Sequence, residues 1–159
     1  MRVYNKFFFE GKIPSLNELV DFKASVSPMK RTWLVHSGKK PGTYRFNKYN
    51  QVKQDWSKKV ETVVAQEGFE TVEACYFTYI VVEKTRKRDP SNICSSSAKL
   101  IEDGLIKAGV IPNDGWNNVL GICNYWVHEP KGTAGVLVLM TDVVIMPCTA
   151  MELYGQSKR

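Results

Sequence analysis

Cys75-Tyr76-Phe77-Thr78-Tyr79-Ile80-Val81-Val82 runs directly into Glu83-Lys84-Thr85-Arg86-Lys87-Arg88 and then into Asp89-Pro90-Ser91-Asn92. The first of these stretches is dense in β-branched and aromatic residues and reads as a strand, extended to Thr71 on one side and Glu83 on the other. Asp89-Pro90-Ser91-Asn92 reads as a turn into a helix over Ile93 to Ala108, with Ile93, Ala98, Ile101, Leu105 and Ala108 along its apolar side. Gly109 ends that helix, and a second turn delivers Asn113-Asp114-Gly115. Strand, charged corner and helix fold back as one unit, so Lys84, Arg86, Lys87 and Arg88 crowd the approach to Asp89, and Asp114 returns after the helix. Hard carboxylate oxygens beside clustered cations suit a site where a metal ion meets a phosphate. Charge runs are ordinarily solvated loops, and that plainer reading stands beside it.

Working outward, Tyr49 to Glu67 is predicted to be a helix. Val52, Trp56, Val60, Val63 and Val64 recur at helical spacing, Lys53, Asp55, Lys58, Lys59 and Glu61 lie on other faces, and Gly68 closes it. Trp56 on this stripe belongs to the core rather than to a base-stacking surface. Arg2 to Phe9 reads as a strand. Pro14-Ser15-Leu16-Asn17-Glu18 starts a short helix with Ser15 as N-cap and Glu18 three residues on, a capping box. Residues 26–48 hold Pro28, Pro41, two glycines and the pairs Lys30-Arg31 and Lys39-Lys40, and read as a basic loop. Val119 to Trp126 and Gly135 to Met146 are further strands, joined through His128-Glu129-Pro130-Lys131-Gly132. The order β-α-α-β-α-β-β predicts an α+β domain over residues 1–147, one mixed β-sheet with helices packed on it, and a C-terminal tail over 148–159.

With 159 residues and 43% hydrophobic content, the chain can build one core of ordinary size. No apolar stretch approaches the ~20 residues of a membrane-spanning helix, and the N-terminus does not read as a signal peptide, so a cytoplasmic protein is expected. Cys75, Cys94, Cys123 and Cys148 are widely separated and only His36 and His128 are present, a pattern that argues against structural zinc and for reduced thiols. A net charge of +6 permits an anionic partner without requiring one.

Metal-assisted phosphodiester hydrolysis needs oxygen ligands for the ion and benefits from a cation that stabilises the charge of the transition state. Asp89, Asp114 and Lys99 are of those types. At these residues the chain resembles the RusA family of Holliday-junction resolvases, particularly its phage and prophage members. The family pattern is a basic run, Asp-x-Asp-Asn, a helix with a Lys and an Asp-x-Leu-x-Lys-Ala-Gly ending, and a final Asp. Here it reads Arg86-Lys87-Arg88-Asp89-Pro90-Ser91-Asn92, Lys99, Asp103-Gly104-Leu105-Ile106-Lys107-Ala108-Gly109 and Asn113-Asp114. Pro14-Ser15-Leu16-Asn17 is similar to the family's N-terminal signature.

The resemblance implies a RusA-like fold and a homodimer that binds four-way DNA junctions and cuts them with Mg²⁺ or Mn²⁺. It implies Asp89 and Asp114 as metal ligands and Lys99 as catalytic cation. Asn17, Asn92 and Asp103 would be supporting residues, and Lys84, Arg86, Lys87 and Arg88 would contact DNA. For Asp103, pairing with Lys99 across one helical turn is the plainer reading; Asn17 and Asn92 also read as helix-start residues.

One position departs from the pattern. Ser91 stands where the family has its second aspartate, and a hydroxyl is a neutral, weaker ligand than a carboxylate. Glu83 and Glu102 are the carboxylates that could replace the lost charge. Three explanations are open: a natural member with weak or absent cleavage, an engineered inactive form, and a site that holds its metal differently. The leading reading is a Mg²⁺-dependent endodeoxyribonuclease for branched DNA. The alternative is a catalytically silent DNA-binding or protein-inhibiting module on the same scaffold. RNA binding has little support, since no stacking-aromatic RNA motif is present.

Overall fold

A computed structural model of the chain describes residues 1–19, 28–29, 44–45 and 48–157. The elements in order are β1 (Val3–Glu10), α1 (residues 16–19), β2 (Pro28–Met29), β3 (Tyr44–Arg45), α2 (Lys48–Glu67), β4 (Cys75–Glu83), α3 (Pro90–Lys107), β5 (Val119–His128), β6 (Gly135–Thr141) and α4 (Pro147–Gln156). Four strands form one sheet in the order β1-β6-β4-β5. β4 and β5 are parallel, whereas β6 is antiparallel to both β1 and β4, so the sheet is mixed and the architecture α+β. Parallel neighbours need a long crossover, which α3 supplies between β4 and β5. β2 and β3 pair separately, Pro28 opposite Arg45 and Met29 opposite Tyr44. The rest of the basic loop expected over residues 26–48 lies outside the described residues.

Alternation along the strands sends side chains to two cores. Phe7, Phe9, Phe77, Tyr79, Val136 and Val138 meet Trp56 and Val60 of α2 and Ile93, Ile101 and Leu105 of α3. On the opposite face Ile80, Leu137 and Leu139 pack with Ile145, Ala150 and Tyr154. Trp56 is buried, edge-on to Phe9, as its place on the α2 stripe predicted. β6 is covered on both faces and hydrogen-bonded on both edges, which explains its unbroken apolar run. β6 itself, ending at Thr141 in the middle of the sheet, is therefore closed to any further partner, whereas Val143, Val144 and Met146 beyond it are exposed; among the described strands the outer ones are β1 and β5.

A second difference falls at the C-terminus. The expected tail is instead α4, begun by Pro147 at a position where a missing N–H costs nothing. Ala150 and Tyr154, one turn apart, are buried against the sheet, and the Tyr154 hydroxyl donates to Glu129 Oε2 at 2.6 Å.

The capping box is present. Glu18 N donates to Ser15 Oγ at 3.3 Å, and Ser15 N to Glu18 Oε2 at 2.7 Å. Gly68 and Gly109 follow α2 and α3 with positive φ, the left-handed conformation that ends helices. All four cysteines are free thiols; Cys75 and Cys94 are buried, and burial pushes them up to about 12 and about 11. Among the described residues no helix is long and apolar enough to cross a membrane.

Candidate functional site

The charged corner after β4 divides into structural and free cations. Arg88 Nη1 is 2.5 Å from Glu83 Oε1, and its Nη2 is 3.1 Å from Glu18 Oε2 and donates also to the Ile13 carbonyl. Its guanidinium therefore ties the α1 capping box to the end of β4, and its charge is answered by two carboxylates. Lys84, Arg86 and Lys87 are exposed. Of the four cations expected to meet DNA, these three face solvent.

Asp89 is the N-cap of α3. Its Oδ1 accepts from Ser91 N at 2.9 Å and its Oδ2 from Asn92 Nδ2 at 3.1 Å, with Pro90 opening the helix. Both carboxylate oxygens thus serve the helix start, and Asn92 holds the cap in place. Ser91 is exposed beside it, and Asn17 is exposed near the start of α1.

Further along α3 a second charged group gathers. Lys99 Nζ lies 2.6 Å from Asp114 Oδ2 and 2.9 Å from Asp103 Oδ1, the latter being the pairing across one turn that the spacing predicted. Asp103 also meets Lys53 of α2 at 2.6 Å. The hydrogen bonds that Lys99 donates to Asp114 and Asp103 raise its ammonium above the usual lysine range, which favours the cation. Burial would raise the Asp103 carboxyl, but Lys53 and Lys99 outweigh it and leave Asp103 lowered. Behind them, Tyr79 of β4 donates to Glu102 Oε1 at 2.8 Å. Glu102 is 6% exposed, and its burial raises the carboxyl.

The structure does not bring Asp89 and Asp114 together. Asp89 caps the start of α3, Lys99 lies past the middle of that helix, and Asp114 sits on Lys99. Glu83, at the end of β4, is held by Arg88; Glu102 belongs to the Lys99 group. Among the described residues no three His, Cys, Asp or Glu side chains converge as a metal cage. The donor types suit Mg²⁺, but their present arrangement does not assemble its site.

Two features escaped the sequence reading. Trp126 on β5 is 59% exposed, and Trp116, just past Asp114, is 97% exposed. Every residue from Val119 to Val127 except Asn124 is apolar or glycine, so no polar alternation marked the open side of β5. Compared with known proteins, the chain matches no family model and no curated protein.

Proposed function

We propose that the chain is a RusA-like endodeoxyribonuclease that binds four-way DNA junctions as a homodimer, with cleavage weakened at Ser91. The observation that carries this reading is the corner itself. Lys84, Arg86 and Lys87 are exposed immediately before Asp89, at the start of a helix that carries Lys99, to which Asp114 of the following turn is paired. The cations would hold phosphates, and the Lys99 ammonium would stabilise negative charge. Mg²⁺ enters the reading through the resemblance alone. A cytoplasmic protein of a phage or prophage host is the setting that resemblance implies.

A silent binding module is the second reading, and one observation favours it: both oxygens of Asp89 are engaged in capping while its neighbour at position 91 is neutral. A synthetic four-way junction incubated with Mg²⁺ or Mn²⁺ separates the two. The expected result is binding that falls steeply with salt and weak cutting, with Ser91→Asp raising cutting far more than affinity. Binding without cutting by either form would establish the silent module. Failure of both forms to bind, or a monomer by light scattering at micromolar concentration, would overturn the junction reading; paired cuts call for two-fold symmetry.

A further inference from the structure

Between the start of α3 and the end of β5 lies a groove of about 430 Å³. Val81 lies at its base, Pro90 and Ile93 line it from α3, and Trp126 lines it from β5. Trp126 is the register partner of Val81 and shares its sheet face. That face is covered by α2 and α3 over β1, β6 and β4, which leaves the β5 indole open. At the rim, Arg86 Nε donates to His128 Nδ1 at 3.2 Å. The imidazole nitrogen orients the guanidinium without neutralising it, and no carboxylate among the described residues pairs with Arg86, in contrast to Arg88. The backbone beneath is fixed, since Glu129 N donates to Glu83 O at 2.8 Å just past the paired strand ends.

A slot with apolar walls and one aromatic side, its Glu83 carboxylate answered by Arg88 and its mouth carrying the Arg86 guanidinium, has the chemistry to take a flat ring that carries a phosphate. We infer that this groove holds an unpaired nucleotide, its base stacked on Trp126 and its phosphate on Arg86. A base inside a duplex already has both faces covered, whereas an unpaired base at a branch point has a face to offer. Aromatic stacking of this kind is worth roughly 5- to 150-fold in affinity per base. The inference rests on the proposed junction binding and specifies which part of the DNA this corner engages.

The test uses the whole chain and three DNA probes: a blunt duplex, the same duplex with a short thymidine overhang, and one whose overhang is abasic. The thymidine overhang is expected to bind at least five-fold tighter than the abasic one. Trp126→Leu should abolish that difference and leave blunt-duplex affinity unchanged, while Trp126→Phe keeps it. Arg86→Gln should weaken both overhang probes. Equal affinity for thymidine and abasic overhangs, or a preference that survives Trp126→Leu, overturns the groove assignment. Should all three probes bind equally with strong salt dependence, or none bind while a four-way junction does, the groove assignment alone fails; should the four-way junction also fail to bind, both fail. Trp126→Leu converting a dimer to a monomer, with no overhang preference in the parent chain, would give the groove to a second copy instead.

Discussion

Asp89 is both the N-cap of α3 and the carboxylate that follows the basic run in sequence, and one substitution divides these roles. Asparagine caps helices about as well as aspartate, so Asp89→Asn should leave the urea midpoint nearly unchanged, whereas Asp89→Ala should cost about 1 kcal/mol. Metal-dependent cutting, if Asp89 takes part, is lost in the asparagine variant although the protein remains folded. Undiminished cutting by Asp89→Asn would confine Asp89 to capping. Glu18 offers a residue-scale test of the Arg88 tie. Burial would raise its carboxyl, but hydrogen bonds from Lys12 and Ser15 and the charge of Arg88 outweigh burial and bring it from 4.5 to about 2. A folded-state value below the unfolded one contributes stability that is present above pH 4.5 and lost as the pH falls toward about 2. Chemical denaturation across that window should show a flatter acid limb for Glu18→Gln. An unchanged limb would place the acid sensitivity elsewhere.

Among the elements, the closest approach is that of α2 to α3. A Cβ on Gly104 would stand 2.6 Å from Val60 Cβ, so this glycine exists to let two helices touch. Alanine is the better helix former by about 1 kcal/mol. Overpacking of a tight contact nevertheless costs about 1–3 kcal/mol, and Gly104→Ala is expected to lower stability on balance. A higher urea midpoint in the variant would show that the helices separate at little cost.

The same scale explains what the sequence disclosed. The α1 capping box, the α2 stripe and the glycine after α3 were legible because each is written in residues a few positions apart. Asp-Pro also announces a helix starting at Pro90, three residues earlier than the apolar pattern alone indicated. α4 was missed because it is one short, weakly amphipathic stretch whose identity depends on the sheet it covers. Its traces were Pro147 and the spacing of Ala150 and Tyr154. The charged group around Lys99 was half legible: Asp103 lies one turn away, but Lys53 and Asp114 arrive through tertiary packing. The separation of Asp89 from Asp114 follows from the length of α3, which the motif spacing itself contained.

At the scale of the whole molecule, the sheet is out of chain order. β6, the last strand made, lies between β1 and β4, with Thr141 opposite both Val3 and Tyr76. Neither β1 nor the β4–β5 pair can complete its edge before residues 135–141 exist. During synthesis everything ahead of Gly135 must therefore wait, with Phe7, Phe9, Phe77 and Tyr79 lacking part of their cover. Long-range pairings of this kind slow folding and leave apolar edges open in the interval. A fragment ending at residue 134 should accordingly lack the slow amide exchange of β1, and adding residues 135–157 in trans should restore it. The segments ahead of β6 would emerge as separate pieces and become one body only when residues 135–141 are inserted, so the apolar faces of β1 and β4 are the surfaces most open to misassociation in that interval.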